Sequence, residues 1–257
     1  AINMKKYVIP LLILLALPLI FQSTPTEILK LKTFDALIKE QVPSGNFVIL
    51  NITEEDVERE GGYPIPRKRL ADIQLELLNS GAIGIGWVIS FPQADRMGGD
   101  EQLASALGYA PSVLATFETP NNVYPKTTGT VIKGLDVGGL SVSGVKQNYK
   151  AYEDILQGMA IAPVEVDQLV RRIPLLLKTP DGWSASFGTQ VLKILTNTPT
   201  YIITTNQNGI QEIAVRGLPP VKTDSLGRKW VSWVNTSETD LQEMNVSGKF
   251  VFVGITA

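Results

Sequence analysis

Apolar and polar positions divide the chain into three stretches with different periods. From Tyr7 to Thr26 no residue is charged, and the heart of this stretch, Val8 to Phe21, is rich in leucine and isoleucine. About 20 such residues make a helix ~30 Å long, enough to cross the hydrocarbon core of a bilayer. No small-x-small cleavage site follows Phe21, where Gln22-Ser23-Thr24-Pro25 stands. The segment therefore reads as an uncleaved anchor and not a removed signal peptide. Pro10 and Pro18 are tolerable in a membrane helix at the cost of a kink. Met4-Lys5-Lys6 resembles a natural start, and the three residues before it fit a cloning remnant. Lys5 and Lys6 place that start in the cytoplasm, so the chain beyond the span lies outside. From Glu27 to Glu40 the apolar residues Ile28, Leu29, Leu31, Phe34, Leu37 and Ile38 recur at helical spacing, which predicts an amphipathic juxtamembrane helix.

Beyond about Asn46 short apolar runs alternate with amphipathic segments. Phe47 to Ile52 is a nearly continuous apolar run, as in a strand buried on both faces. Pro66 opens a helix through about Asn79, with Leu70, Ile73, Leu77 and Leu78 on one face and Gly81 at its C-terminal cap. A strand over 82–91, a helix over 100–107 and a strand over 112–117 follow. This order predicts a parallel sheet with right-handed crossovers. The stretch 121–158, rich in Gly, Pro, Thr and Ser, reads as a loop-rich excursion. The pattern then changes to hairpins. A strand over 173–178 ends at the turn signature Thr179-Pro180-Asp181-Gly182, and a helix covers about 184–196. Strands 201–205 and 210–215 flank Asn208-Gly209. Strands over 229–234 and 250–255 close the chain. The expected fold is one α/β domain: a mixed, largely parallel sheet with flanking helices and added β-hairpins, preceded by one transmembrane helix and a juxtamembrane helix. The segments are a cytoplasmic start (1–6), the span (7–26), the juxtamembrane connector (27–45) and the folded domain (46–257).

Composition narrows the chemistry. Apolar residues are 44% and charged residues 19% of the 257, with a net charge of −2, so a sizeable core is available but no clustered basic face for nucleic acid. With no cysteine and no histidine, there is no disulfide framework, no thiolate chemistry and no Ser-His or Cys-His nucleophile pair. No catalytic residue, metal site or cofactor is expected.

Four ordered motifs carry a family resemblance. Gly62-Tyr63-Pro64-Ile65-Pro66-Arg67 has an aromatic-Pro-x-Pro-Arg form ahead of a helix, and Asp100 to Leu107 reads Asp-x-x-Leu-Ala-x-Ala-Leu. Val170-Arg171-Arg172-Ile173-Pro174-Leu175 precedes a Gly-containing turn and a Ser-Phe helix, and Ser247 to Ala257 ends Gly-Lys-x-Val-x-x-Gly-x-Thr-Ala. In these the chain resembles the type-two CHASE domain, an extracellular sensor of bacterial cyclases and histidine kinases. The resemblance implies a periplasmic sensor at the bacterial inner membrane, a homodimer, and an unknown small-molecule or protein signal. The output it implies is cytoplasmic, with a nucleotide cyclase favoured over a histidine kinase or diguanylate cyclase. A membrane-anchored solute-binding protein is the alternative. One departure stands out: the family's second strand ends Phe-Asp-x-x-Phe, whereas here Trp87-Val88-Ile89-Ser90-Phe91 puts Val88 at the acidic position.

Candidate ligand-binding residues are Arg67, Asp100, Arg171 and Arg172. Each has a competing structural reading. Arg67, between a Pro-x-Pro turn and a helix start, either faces an anion at a strand end or ties loop to sheet through bidentate bonds, and the tie is favoured. Asp100 fits a helix N-cap better than a ligand carboxylate. Asp95 and Asp100 flank Gly98-Gly99 but lack the ligand spacing of a calcium loop. Strand alternation places one of Arg171 and Arg172 in water and the other beside an acidic partner. Tyr63, Pro64, Pro66 and Gly254 are expected to be structural, and the glycines of Gly81 to Gly86 to cap a helix and allow close packing. Ser143-Gly144-Val145-Lys146 matches the Ser-x-x-Lys of acyl-enzymes without its companion motifs.

Overall fold

A computed structural model describes residues 8, 10, 24–38 and 41–256. The expected span at 7–26 lies almost wholly outside the described residues, and among these no helix is long and apolar enough to cross a membrane. The first extended helix, α1 (Thr24–Leu37), overlaps the expected juxtamembrane helix. Its apolar residues do not form one stripe: Leu31 is buried, while Leu29 and Leu37 face solvent.

The central sheet forms as the alternating pattern requires. Strand β1 (Phe47–Ile52) buries Val48, Leu50 and Ile52 completely. A turn of helix, α2 (Glu54–Arg59), follows; the sequence reading missed it, although its start is marked by a capping box. The Thr53 backbone N–H donates to Asp56 Oδ2 at 2.9 Å, and the Asp56 N–H returns to Thr53 Oγ1 at 3.3 Å, satisfying two otherwise orphaned donors. Helix α3 (Arg67–Asn79) then buries Leu70, Ala71, Ile73, Gln74 and Leu77. It ends at Gly81, whose φ of 92° suits glycine. Strand β2 is shorter than expected (Gly84–Trp87) but wholly buried. Its glycines serve close packing: a Cβ on Gly84 would lie 2.8 Å from the Phe250 ring and one on Gly86 3.0 Å from Phe187. Helix α4 (Asp100–Gly108) and strand β3 (Ser112–Glu118) complete the crossover series.

The stretch over 121–158 is not all loop. It contains β4 (Gly129–Lys133), β5 (Val145–Lys146), a 3-10 turn at Lys150–Tyr152, and β6 (Leu156–Met159). These strands are two to five residues long, too short to show a period among so many Gly and Thr. The expected strand over 173–178 is broken into β7 (Arg172–Pro174) and β8 (Leu176–Thr179), and β9 (Gly182–Ala185) pairs back on β8 through the two-residue turn Pro180-Asp181. Next come α5 (Phe187–Thr196), β10 (Thr200–Asn206) and β11 (Gly209–Val215). The hairpin turn is Gln207-Asn208, one residue before the expected pair, because Gly209 already pairs with Asn206. Short strands β12 (Val221–Lys222), β13 (Arg228–Trp230) and β14 (Ser237–Thr239) precede the last, β15 (Phe250–Ile255).

The main sheet has the order β14-β1-β15-β2-β3, with β5 and β6 both along the outer edge of β3. Every pairing is parallel except β3 with β5. The chain's last strand is inserted between β1 and β2, in register from Phe47 opposite Phe250 to Ile52 opposite Ile255. A second sheet, β12-β11-β10-β4, has its own core around Leu176, Trp183, Tyr201 and Ile213. Helices α3 and α4 cover one face of the main sheet, burying Ile73, Leu77, Trp87 and Leu103. Helix α5 covers the other through Phe187 and Val191. At the centre the Trp87 indole N–H donates to Gln74 Oε1 at 2.8 Å, and Gln74 Nε2 donates to Ser112 Oγ at 3.0 Å.

Candidate functional site

Because α3 returns antiparallel to the strands, its first turn lies at their C-terminal ends, where α/β folds place ligand crevices. The segment Tyr63–Pro66, with a cis Tyr63–Pro64 bond, delivers Arg67 there. Its backbone N–H donates to Asp95 Oδ2 at 3.0 Å, and the guanidinium lies over the Phe91 ring, 4.3 Å from the centroid. Its Nε is 3.8 Å from Asp100 Oδ1, too far for a hydrogen bond, and is buried without a hydrogen-bond partner. The expected bidentate tie is therefore absent. The tie runs instead through the backbone and the aromatic face.

Asp100 is not the N-cap. That position belongs to Gly99, at φ 109°, since a Cβ there would stand 2.7 Å from the Lys68 backbone nitrogen. Freed from capping, the Asp100 carboxylate accepts the Asp95 N–H at 2.7 Å and the Tyr152 hydroxyl at 2.6 Å. Burial first, then the Asp100 hydrogen bond and charge, push the Tyr152 pKa upward, with the Arg67 charge opposing, so the phenol stays a donor. Arg67, Asp95, Asp100 and Tyr152 thus close on one another. Beside them, between Tyr63, Pro64, Phe91 and Ile255, a cavity of about 50 Å³ remains. At about 30 Å³ per water molecule, it has no room for a metabolite. Val88, where an acid was expected, is partly exposed and gives its N–H to the Val253 carbonyl. Asp95 and Asp100 hold the Pro-Arg segment in this chain.

The second pair of candidates assembles elsewhere. Neither Arg171 nor Arg172 faces water. Arg171 is only 4% exposed and is gripped by two carboxylates. Its Nε and Nη2 donate to Asp35 at 2.8 and 2.7 Å, and its Nη1 and Nη2 donate to Asp167 at 2.7 Å each. Arg172 donates to Glu165 at 2.7 and 2.6 Å and to Asp224 at 3.1 Å. These bonds hold the carboxyls below their usual range: the Arg171 hydrogen bonds draw Asp35 down and Asp167 to about 2, and the Arg172 bonds lower Glu165. Asp35 belongs to α1. Next to it Phe34 packs on Trp230 at 4.1 Å between centroids, and Arg172 lies 4.9 Å from the centroid of the same indole. With Leu31 buried, these contacts form a latch that fixes α1 to the paired strands β7 and β13.

The four candidates therefore form two separate clusters, in each of which carboxylates outnumber the arginines they face. The sequence did not reveal the acidic partners Asp35 and Asp167, 136 and 4 residues from Arg171, nor that Trp230 would receive both Phe34 and Arg172. Trp230 and Trp233 do not share a strand; Trp233 lies beyond β13 and is exposed. Gly254 pairs with Asn51, and a side chain there would meet open space. Ser143 of the Ser-x-x-Lys match hydrogen-bonds to Glu118 at 3.2 Å.

A largely parallel α/β sheet domain with an N-terminal helix latched to the separate β7–β13 pair is the class of protein these elements define. The family model of the CHASE2 domain matches residues 11–257, and the chain belongs to that family of extracellular sensory domains of signalling proteins. No curated protein and no solved structure matches the chain significantly.

Proposed function

We propose that the chain is the periplasmic sensor region of a bacterial inner-membrane receptor, anchored by a helix over residues 7–26, homodimeric, and linked to a cytoplasmic nucleotide cyclase. It performs no catalysis itself. The observation that carries this reading is the latch. A helix leading out of an apolar stretch is fastened to the folded domain by a buried arginine shared between Asp35 of the helix and Asp167 of the domain. Undocking α1 would leave the buried Arg171 with one carboxylate instead of two, so the docked and undocked helix differ in energy. A signal that favours one conformation of the domain biases α1 and, through it, the membrane segment.

The chain lacks cysteine, so an introduced thiol is a unique reporter of sidedness. Gln207→Cys, at an exposed hairpin tip, should react with a membrane-impermeant maleimide on spheroplasts, and Lys6→Cys only after lysis. Labelling of Lys6→Cys but not Gln207→Cys on intact spheroplasts would reverse the topology and refute the proposal.

A further inference from the structure

One recess has a volume of about 610 Å³, within the usual range of roughly 300–1,000 Å³ for ligand sites. It lies between the loop 125–128, the segment 147–157 and α5. Its floor is rigid. Asn148 Nδ2 donates to the Ala115 carbonyl at 3.1 Å and to Gln157 Oε1 at 3.0 Å. Gln157 Nε2 donates to the Tyr152 carbonyl at 3.0 Å, and Gln190 Nε2 donates to the Gln157 carbonyl at 2.9 Å. The Asn148 amide donors are used up by the fold, while Gln157 and Gln190 each keep one N–H.

The lining keeps other donors in reserve. The Thr128 hydroxyl is buried with no hydrogen-bond partner, a state that costs free energy unless something accepts from it. Lys193, half-buried on α5, and Lys150 form no ion pair among the described residues. Glu153 and Asp154 are exposed and supply the only carboxylates of the lining. An apolar occupant would leave the Thr128 hydroxyl without an acceptor and cover the half-buried Lys193 ammonium. A carboxylate satisfies them, and the remaining amide and hydroxyl surface suits hydroxyl or amine substituents.

We propose that this recess is the signal-binding site and takes a small hydrophilic carboxylate; the assignment rests on the sensor reading above. It also has a path to the crevice cluster. Asn148 Oδ1 accepts the Phe91 N–H at 2.6 Å, the Tyr149 N–H donates to the Phe91 carbonyl at 2.6 Å, and Tyr152 reaches Asp100. A ligand pulling on the segment 147–157 therefore acts on Phe91, in the loop that follows β2.

Calorimetric titration of the whole chain with glucuronate, L-glutamate, succinate and citrate, with glucose as the neutral control, tests this. At least one carboxylate should bind with Kd below about 1 mM while glucose does not, and Lys193→Met should weaken it at least tenfold, about 1.4 kcal/mol. Thr128→Val, nearly isosteric, should weaken it several-fold, with circular dichroism confirming that both variants fold. The assignment is overturned if none of the four binds at about 10 mM, or if both variants bind like the parent. The maleimide labelling is independent of ligand, so an empty recess with correct topology refutes this assignment and leaves the sensor reading standing.

Discussion

Replacing Asp35 by asparagine keeps the shape of the side chain that α1 presents to the domain and removes its charge. In the parent, Asp35 receives two bonds from Arg171, at 2.8 and 2.7 Å. A hydrogen bond to a charged group contributes about 1.5–3 kcal/mol net. Asparagine keeps one acceptor oxygen, and the Asp35 side chain is 42% exposed, so solvent screening reduces the loss to about 1–1.5 kcal/mol. Arg171 stays paired with Asp167, so the domain itself is not destabilised to the same extent. The expected effect is confined to α1: its opening constant rises about tenfold. Amide hydrogen exchange over residues 24–38 reads this directly, because local opening sets the exchange rate. Leu31→Ala gives the scale. Leu31 is 2% exposed, and truncating a buried leucine costs about 2–3 kcal/mol at the low end of such changes, which is on the order of a hundredfold faster exchange. Unchanged exchange over α1 in Asp35→Asn, with Leu31→Ala accelerated as expected, would show that helix docking is purely apolar and that the Arg171 latch does not hold it.

Three further outcomes rest on the same geometry. Asp35 and Asp167 have folded-state pKa values lowered by Arg171, Asp167 to about 2, against about 3.9 unfolded. The Asp35 contribution is fully present above its unfolded value of about 3.9 and is lost as pH falls through its lowered folded value, so α1 protection should hold at pH 5 and fade below about pH 4. Tyr152→Phe removes the hydroxyl that donates to Asp100 at 2.6 Å and should cost about 1–2 kcal/mol by urea denaturation; no change in midpoint would mean that water replaces the phenol there. Gly84→Ala places a methyl 2.8 Å from the Phe250 ring and should destabilise by about 1–3 kcal/mol, whereas Gly254→Ala, beside open space, should be nearly neutral in the same denaturation assay.

The parts of this fold legible in the sequence are those where one element buries a whole face. Phe47–Ile52 reads as a strand because six residues with one polar member leave no other choice, and 67–79 reads as a helix because Leu70, Ile73 and Leu77 fall on one side. Legibility fails where strands are held by pairing alone. β5 and β12 have two residues each, and β4 alternates only half-buried side chains. The site was less legible for a different reason. Arg67, Asp100, Arg171 and Arg172 were conspicuous because they are charged beside rigid or apolar segments. Burial makes such charges costly unless they are paired, and the fold pairs them. Their partners lie far along the chain, as Asp35 does from Arg171, and nothing local marks them. The recess was hidden for the opposite reason: Thr128, Lys150 and Lys193 are ordinary residues in the sequence, and only the unpaired Thr128 hydroxyl distinguishes them.

The most direct test of the proposed relay to a nucleotide cyclase is cyclic-nucleotide production in membranes carrying the full-length receptor, comparing the parent with Asp35→Asn and Leu31→Ala. If α1 relays the state of the domain, basal output shifts in the same direction in both variants, and more in Leu31→Ala, in the order of their hydrogen-exchange effects. Output identical to the parent in both, with α1 demonstrably undocked, would contradict the account.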